Sequence, residues 1–98
     1  MNKNSEKVIE RKLVDNVKAN KGLCIKLLSV HFLGLPDRMV LLPKGQVFFA
    51  EIKTTGEKPR KIQLHVHKMI RELGFNVYVI DKLEQIEEIL PLYTNLPF

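Results

Sequence analysis

The sequence predicts an α/β fold in the order α-β-β-β-α-β-α, with a mixed central sheet flanked by helices. Three observations predict it. Two segments, about Ser5 to Ala19 and Arg60 to Leu73, carry apolar residues at helical spacing. Between them lie apolar runs too short for helices, two of which are joined by the turn Pro43-Lys44-Gly45-Gln46 in the manner of a β-hairpin. The second helical segment then separates this hairpin from one more β-branched run, which calls for a crossover and a sheet covered by helices.

In the first helix Ser5 is the N-cap, Glu6 lies in the first turn, and Asn20-Lys21-Gly22 supplies the stop. Ile9, Leu13 and Val17 form the apolar stripe. At ~100° per residue, Glu6 falls near the middle of that stripe and Glu10 nearer its edge. An acid in the first turn complements the helix dipole. An acid on the buried side needs a further reason, which makes Glu6 a candidate functional residue. Leu23 to Val30 reads as a strand interrupted by Lys26, which either protects an edge from unwanted pairing or contacts a phosphate. Cys24 sits in the same run as a small core residue. As the only cysteine, it leaves no intrachain disulfide and no cysteine-based zinc site. His31 to Pro36 is a loop.

The hairpin carries the chemistry. Asp37 opens the first strand, Arg38 to Leu42, and the second runs from Val47 to Lys53. Side chains alternate along a strand, so Val47, Phe49, Glu51 and Lys53 share a face, read here as core-facing. A carboxylate in such a row is costly unless a partner or a metal compensates it. The polar, basic loop Thr54 to Lys61 leads into the second helix, with Ile62, Val66, Met69, Ile70 and Leu73 expected inward and Gln63, His67 and Arg71 on an adjacent face. Asn76 to Ile80 is the last strand. A short helix, about Lys82 to Leu90, follows and is expected to end at Pro91. The apolar tail, with Leu92, Tyr93, Leu96 and Phe98, is expected to pack on its own domain or on a partner chain.

With 98 residues, 45% of them hydrophobic and 28% charged, the chain is read as one folded domain, residues 1–98, with its core at about 5–90 and a tail at 91–98. No run suits a secretory signal or a membrane span, which points to the cytoplasm. The formal charge of +5 points weakly to a polyanion such as nucleic acid. Neither a Gly-rich phosphate loop nor a His-Glu-x-x-His helix is present. The ligands on offer are oxygens, which suit hard cations such as Mg²⁺ or Mn²⁺.

Pro36-Asp37 followed by Glu51-Ile52-Lys53 resembles the PD-(D/E)xK nuclease signature. With Ser5-Glu6-x-x-Ile9, Gly34-x-Pro36-Asp37, Gly45, Glu51-x-Lys53 and Gln63 in order, the chain resembles the VRR-NUC (virus-type replication-repair nuclease) branch, in its stand-alone phage form. The resemblance implies a restriction-endonuclease-like α-β-β-β-α-β core and a Mg²⁺- or Mn²⁺-dependent endonuclease. Its substrate would be branched DNA of the Holliday-junction kind, cut by a homodimer during phage replication, recombination or repair in the cytoplasm of a bacterial host. Asp37, Glu51 and the Ile52 carbonyl would hold the metal, and Glu6 a second metal or a metal-bound water. Lys53 would orient or deprotonate the attacking water, and Gln63 would steady the site. Lys26, Lys58, Arg60, Lys61, His67 and Lys68 are the candidate nucleic-acid contacts. The competing readings are a non-catalytic basic nucleic-acid-binding module and a flap- or nick-directed nuclease.

Overall fold

The structure is a computed structural model and describes residues 3–94. Helix α1 spans Glu6–Ala19, and the Ser5 hydroxyl caps it by accepting the Val8 N–H at 3.3 Å. Ile9, Leu13 and Val17 are buried as expected, but the stripe is covered only from Ile9 onward. Glu6 is exposed, so its predicted place on the buried side is corrected.

Strands β1 (Leu23–Lys26), β2 (Arg38–Leu42), β3 (Gln46–Ile52) and β4 (Asn76–Ile80) form one sheet in the order β1-β2-β3-β4. The first two pairings are antiparallel, and β3 pairs parallel with β4 after the crossover through α2 (Lys61–Glu72). This is the mixed, helix-flanked sheet that the pattern predicts. β1 stops at Lys26 rather than Val30, because its partner runs out where Lys26 faces Arg38 and Pro36 lies just beyond. Leu28, Val30, Phe32 and Leu33 are consequently exposed in a loop.

Helix α3 spans Leu83–Ile89, and Pro91 opens a further helical turn, α4 (Pro91–Thr94), instead of ending the path. Proline suits the first position of a helix, where no N–H is required. This turn buries Tyr93 in the chain's own core, its ring centroid 4.8 Å from that of Phe48 and its hydroxyl 2.7 Å from that of Tyr78. Leu96 and Phe98, the other half of the expected tail contact, lie outside the described residues.

The sheet has two unlike faces. Val40, Leu42, Phe48, Ala50, Ile52 and Ile80 pack with Ile9, Leu13 and Val17 of α1 and with Ile86 and Ile89 of α3 in an apolar core. The row containing Glu51 points the other way, toward α2, and so does not face that core. The inward side of α2 is correspondingly only in part the one expected, with Val66 buried as predicted. It buries Gln63, Val66 and His67, while Ile62, Met69 and Leu73 are 43%, 43% and 77% exposed. Among the described residues no helix is long and apolar enough to cross a membrane.

Candidate active site

The β2–β3 register places Arg38 opposite Ala50, so Asp37, one residue earlier, stands across from Glu51 at the open end of the hairpin. Directly opposed side chains on one face lie within about 5 Å at Cβ. Asp37 is fixed there by its Oδ2, which accepts the Ile52 N–H at 2.7 Å. The loop that delivers it packs closely on α2 at Gly34. A Cβ at Gly34 would lie 2.7 Å from the Ile62 carbonyl oxygen and 2.8 Å from Val66, and the residue's φ of +88° also suits glycine.

Glu51 is 1% exposed. Its Oε2 accepts the Gln63 amide Nε2 at 3.0 Å and lies 3.8 Å from Lys53 Nζ, while Oε1 lies 3.1 Å from His67 Nε2. Gln63 has little freedom to turn over, because its Oε1 accepts the Arg60 N–H at 2.8 Å and so aims the amino group at Glu51. Burial pushes the Glu51 carboxyl up to about 8, helped by the charge of Asp37 and a hydrogen bond shared with it; Lys53 opposes the shift, and Glu6 adds to it from farther away. His67 moves the opposite way. Burial, then the positive charges of Arg71 and Lys53, hold it below its usual value, against the pull of Asp37.

The mouth of the site is tied to α1. Thr55, just past Lys53, donates its N–H to the Asn4 carbonyl at 3.1 Å, accepts the Asn4 N–H at its hydroxyl, and donates that hydroxyl to the Asp81 carbonyl at 2.6 Å. These bonds hold the start of α1, with Glu6, next to the strand end that carries Lys53. Glu10 is engaged elsewhere, accepting Arg38 Nε at 2.8 Å, while Arg38 also donates to the Cys24 carbonyl at 3.0 Å.

Among the described residues no three His, Cys, Asp or Glu side chains form a ready metal cage. The donor set still fits a hydrated hard cation. Burial of Glu51 and the neighbouring charge of Asp37 both favour a proton on the Glu51 carboxyl, and a divalent cation would offset the same costs while keeping several waters.

Asp37, Glu51, Lys53 and Gln63 therefore converge, with Glu6 at the rim. Lys26, Lys58, Arg60, Lys61 and Lys68 are exposed around the domain, and Arg60 and Lys61 lie at the end of α2 that touches Glu51. His67 is the exception. It is 0% exposed, so its assignment as a nucleic-acid contact is corrected: it lies under Glu51, facing inward. Its i+4 spacing from Gln63 was the available signal. The Arg38–Glu10 pair had none, since nothing in the sequence links residues so far apart.

A mixed sheet holding an Asp, a Glu and a Lys at one hairpin end defines the class: an α/β nuclease fold of the PD-(D/E)xK kind. No family model matches the chain. It is 41% identical over 86 residues to "Putative nuclease p44" of Acyrthosiphon pisum secondary endosymbiont phage 1, covering 88% of this chain and 91% of that protein. A solved VRR_NUC domain superposes with a TM-score of 0.84 at 29% identity, covering 92% of this chain and 99% of that one. The chain belongs to the VRR-NUC family of nucleases.

Proposed function

We propose that this protein is a divalent-cation-dependent deoxyribonuclease that cleaves branched DNA, four-way junctions in particular, as a homodimer, in phage replication, recombination or repair. The observation that carries the reading is buried Glu51 facing half-buried Asp37, its carboxyl pushed up to about 8 by burial and then by the charge of Asp37, with Lys53 Nζ 3.8 Å from the same carboxylate. An ordinary structural ion pair has no need of the second acid.

A bound Mg²⁺ or Mn²⁺ would neutralise phosphate charge and make water nucleophilic near neutral pH. Asp37, Glu51 and the Ile52 carbonyl are the groups that would hold it, with Glu6 contributing negative charge from the rim. Lys53 orients the attacking water and stabilises the charge that develops on the phosphate. Gln63 keeps Glu51 turned into the site. Lys26, Lys58, Arg60, Lys61 and Lys68 face the phosphates of the flanking duplex.

Resolving a four-way junction takes two symmetric cuts, which a two-fold dimer supplies with paired sites. Tyr93 is occupied in the core. The apolar surface for such contact is better provided by exposed Leu23, Leu28, Val30, Phe32 and Leu33 along β1 and its loop. The test is cleavage of a four-way junction and a 5′ flap in Mg²⁺ and in EDTA, beside sedimentation at micromolar concentration. A dimer that cuts the junction only with metal, and loses this in Lys53→Ala, is expected. Metal-independent binding without cleavage would point to a basic binding module, and a monomer preferring the flap to a flap- or nick-directed nuclease.

A further inference from the structure

His67 is a costly residue for its position. It is 0% exposed on the inward side of α2, where an aliphatic side chain would fill the space without burying polar atoms. One nitrogen, Nδ1, is buried with no hydrogen-bond partner, and the other, Nε2, lies 3.1 Å from Glu51 Oε1. Exposed His31 and His65 share neither feature.

Hydrogen-bond accounting assigns the direction of this bond. A buried N–H without an acceptor is rarer and costlier than a buried lone pair without a donor. The orphaned Nδ1 therefore favours the tautomer with its proton on Nε2, in which His67 donates to Glu51. One turn earlier, Gln63 donates to the other oxygen at 3.0 Å. Helix α2 thus grips both oxygens of one carboxylate from residues spaced i and i+4, and the remaining acceptor capacity of Glu51 is left toward Asp37 and Lys53.

We propose that His67 is a positioning residue. Its Nε2–H locks the Glu51 carboxylate in the orientation that presents it, together with Asp37, to the cation. This rests on the metal-dependent reading above, and it assigns His67 a role through Glu51 rather than contact with DNA. Hydrogen bonds that orient a ligand are worth about 10- to 100-fold in metal affinity or activity.

The test compares His67→Gln with His67→Met in the full chain. The two side chains have similar length and volume, but only glutamine can place an N–H near the position of Nε2. Mn²⁺ affinity is measured without DNA by calorimetry or electron paramagnetic resonance, beside melting in EDTA and cleavage in Mg²⁺. His67→Met should bind Mn²⁺ about 10- to 100-fold more weakly and cleave correspondingly slowly, with His67→Gln restoring most of both. Equal Mn²⁺ affinity and cleavage in the two variants would overturn the proposal.

Should His67→Met fail to fold, nitrogen-15 spectra of the wild-type imidazoles decide. A proton on Nε2, with a resonance that moves on Mg²⁺ addition, supports the lock. A proton on Nδ1, or no response to Mg²⁺, refutes it. Wild-type protein that neither binds Mn²⁺ nor cleaves would instead refute the metal-dependent reading, and the proposal would fall with it.

Discussion

Strand β3 presents two chemistries on one backbone. Phe48, Ala50 and Ile52 enter an apolar core closed by α1, α3 and Tyr93. Phe49, Glu51 and Lys53 face the side where α2 lies, and there the buried polar groups are Glu51, Gln63 and His67. Strand alternation makes this division possible, because neighbouring residues serve opposite faces without disturbing each other. One face gains stability from hydrocarbon burial. The other holds a carboxylate that burial and Asp37 both disfavour in its charged form. Stability and reactivity are separated by a single residue along the chain.

The sharpest way to break that division is to change one residue of β3 on each face. Phe48→Ala should destabilise the fold by about 3–5 kcal/mol, since it empties a fully buried aromatic site beneath Tyr78 and Tyr93. Glu51→Gln, three residues away on the other face, should abolish cleavage, a loss of at least about 100-fold, yet melt in EDTA at the wild-type temperature or above. Denaturation and cleavage assays on the two variants check this. A Glu51→Gln variant that unfolds would make Glu51 a structural residue and erase the distinction between the faces.

How far the sequence revealed this depends on which rule governed each residue. The hairpin, the crossover and the helix limits were legible because hydrophobic period and turn residues act locally. Period two put Glu51 and Lys53 on one face, whereas Asp37 joined them through the resemblance to the PD-(D/E)xK signature, since the register that sets it across from Glu51 is visible only in the structure. The inward side of α2 was legible only at Val66. Patterning puts Ile62, Met69 and Leu73 inside, but the sheet face that meets this helix carries Glu51, and a buried carboxylate demands donors more strongly than apolar side chains demand cover. The length of β1 was missed because its limit lies in the partner strand. Nor does any spacing rule foretell that Asp37 accepts the Ile52 amide or that Glu10 holds Arg38.

A smaller effect sharpens the contrast through pH. Glu51 moves from 4.5 to about 8 on folding, so between those values the native state keeps a proton that the unfolded chain releases. Stability from this group is therefore highest at the acid end and falls as pH rises through the window. His67, lowered by burial, works in the opposite direction as pH falls below 6.5. In EDTA, wild type should lose stability relative to Glu51→Gln between roughly pH 5 and pH 8. Added Mg²⁺ should reverse that trend by replacing the proton. Melting curves across this range give the answer, and parallel curves for the two proteins would show that Glu51 is ionised in the fold like any surface acid.

The smallest expected effect lies outside both faces. Arg60 and Lys61 are exposed at the end of α2 where Gln63 reaches Glu51, so a phosphate strand entering the site would pass them. Each phosphate contact contributes about 0.9 to the slope of log affinity against log salt. The double variant Arg60→Gln, Lys61→Gln should reduce that slope by about two while leaving melting unchanged, because neither side chain is buried. The Arg60 backbone N–H that fixes Gln63 is retained in the variant, so any change in cleavage beyond the loss of affinity would show that the outer surface of α2 also shapes the site beneath it. Binding titrations from low to moderate salt, with catalytically inert Glu51→Gln as the background, measure the slope without turnover. An unaltered slope would take this end of α2 out of the DNA path and leave Lys26, Lys58 and Lys68 to carry the contact.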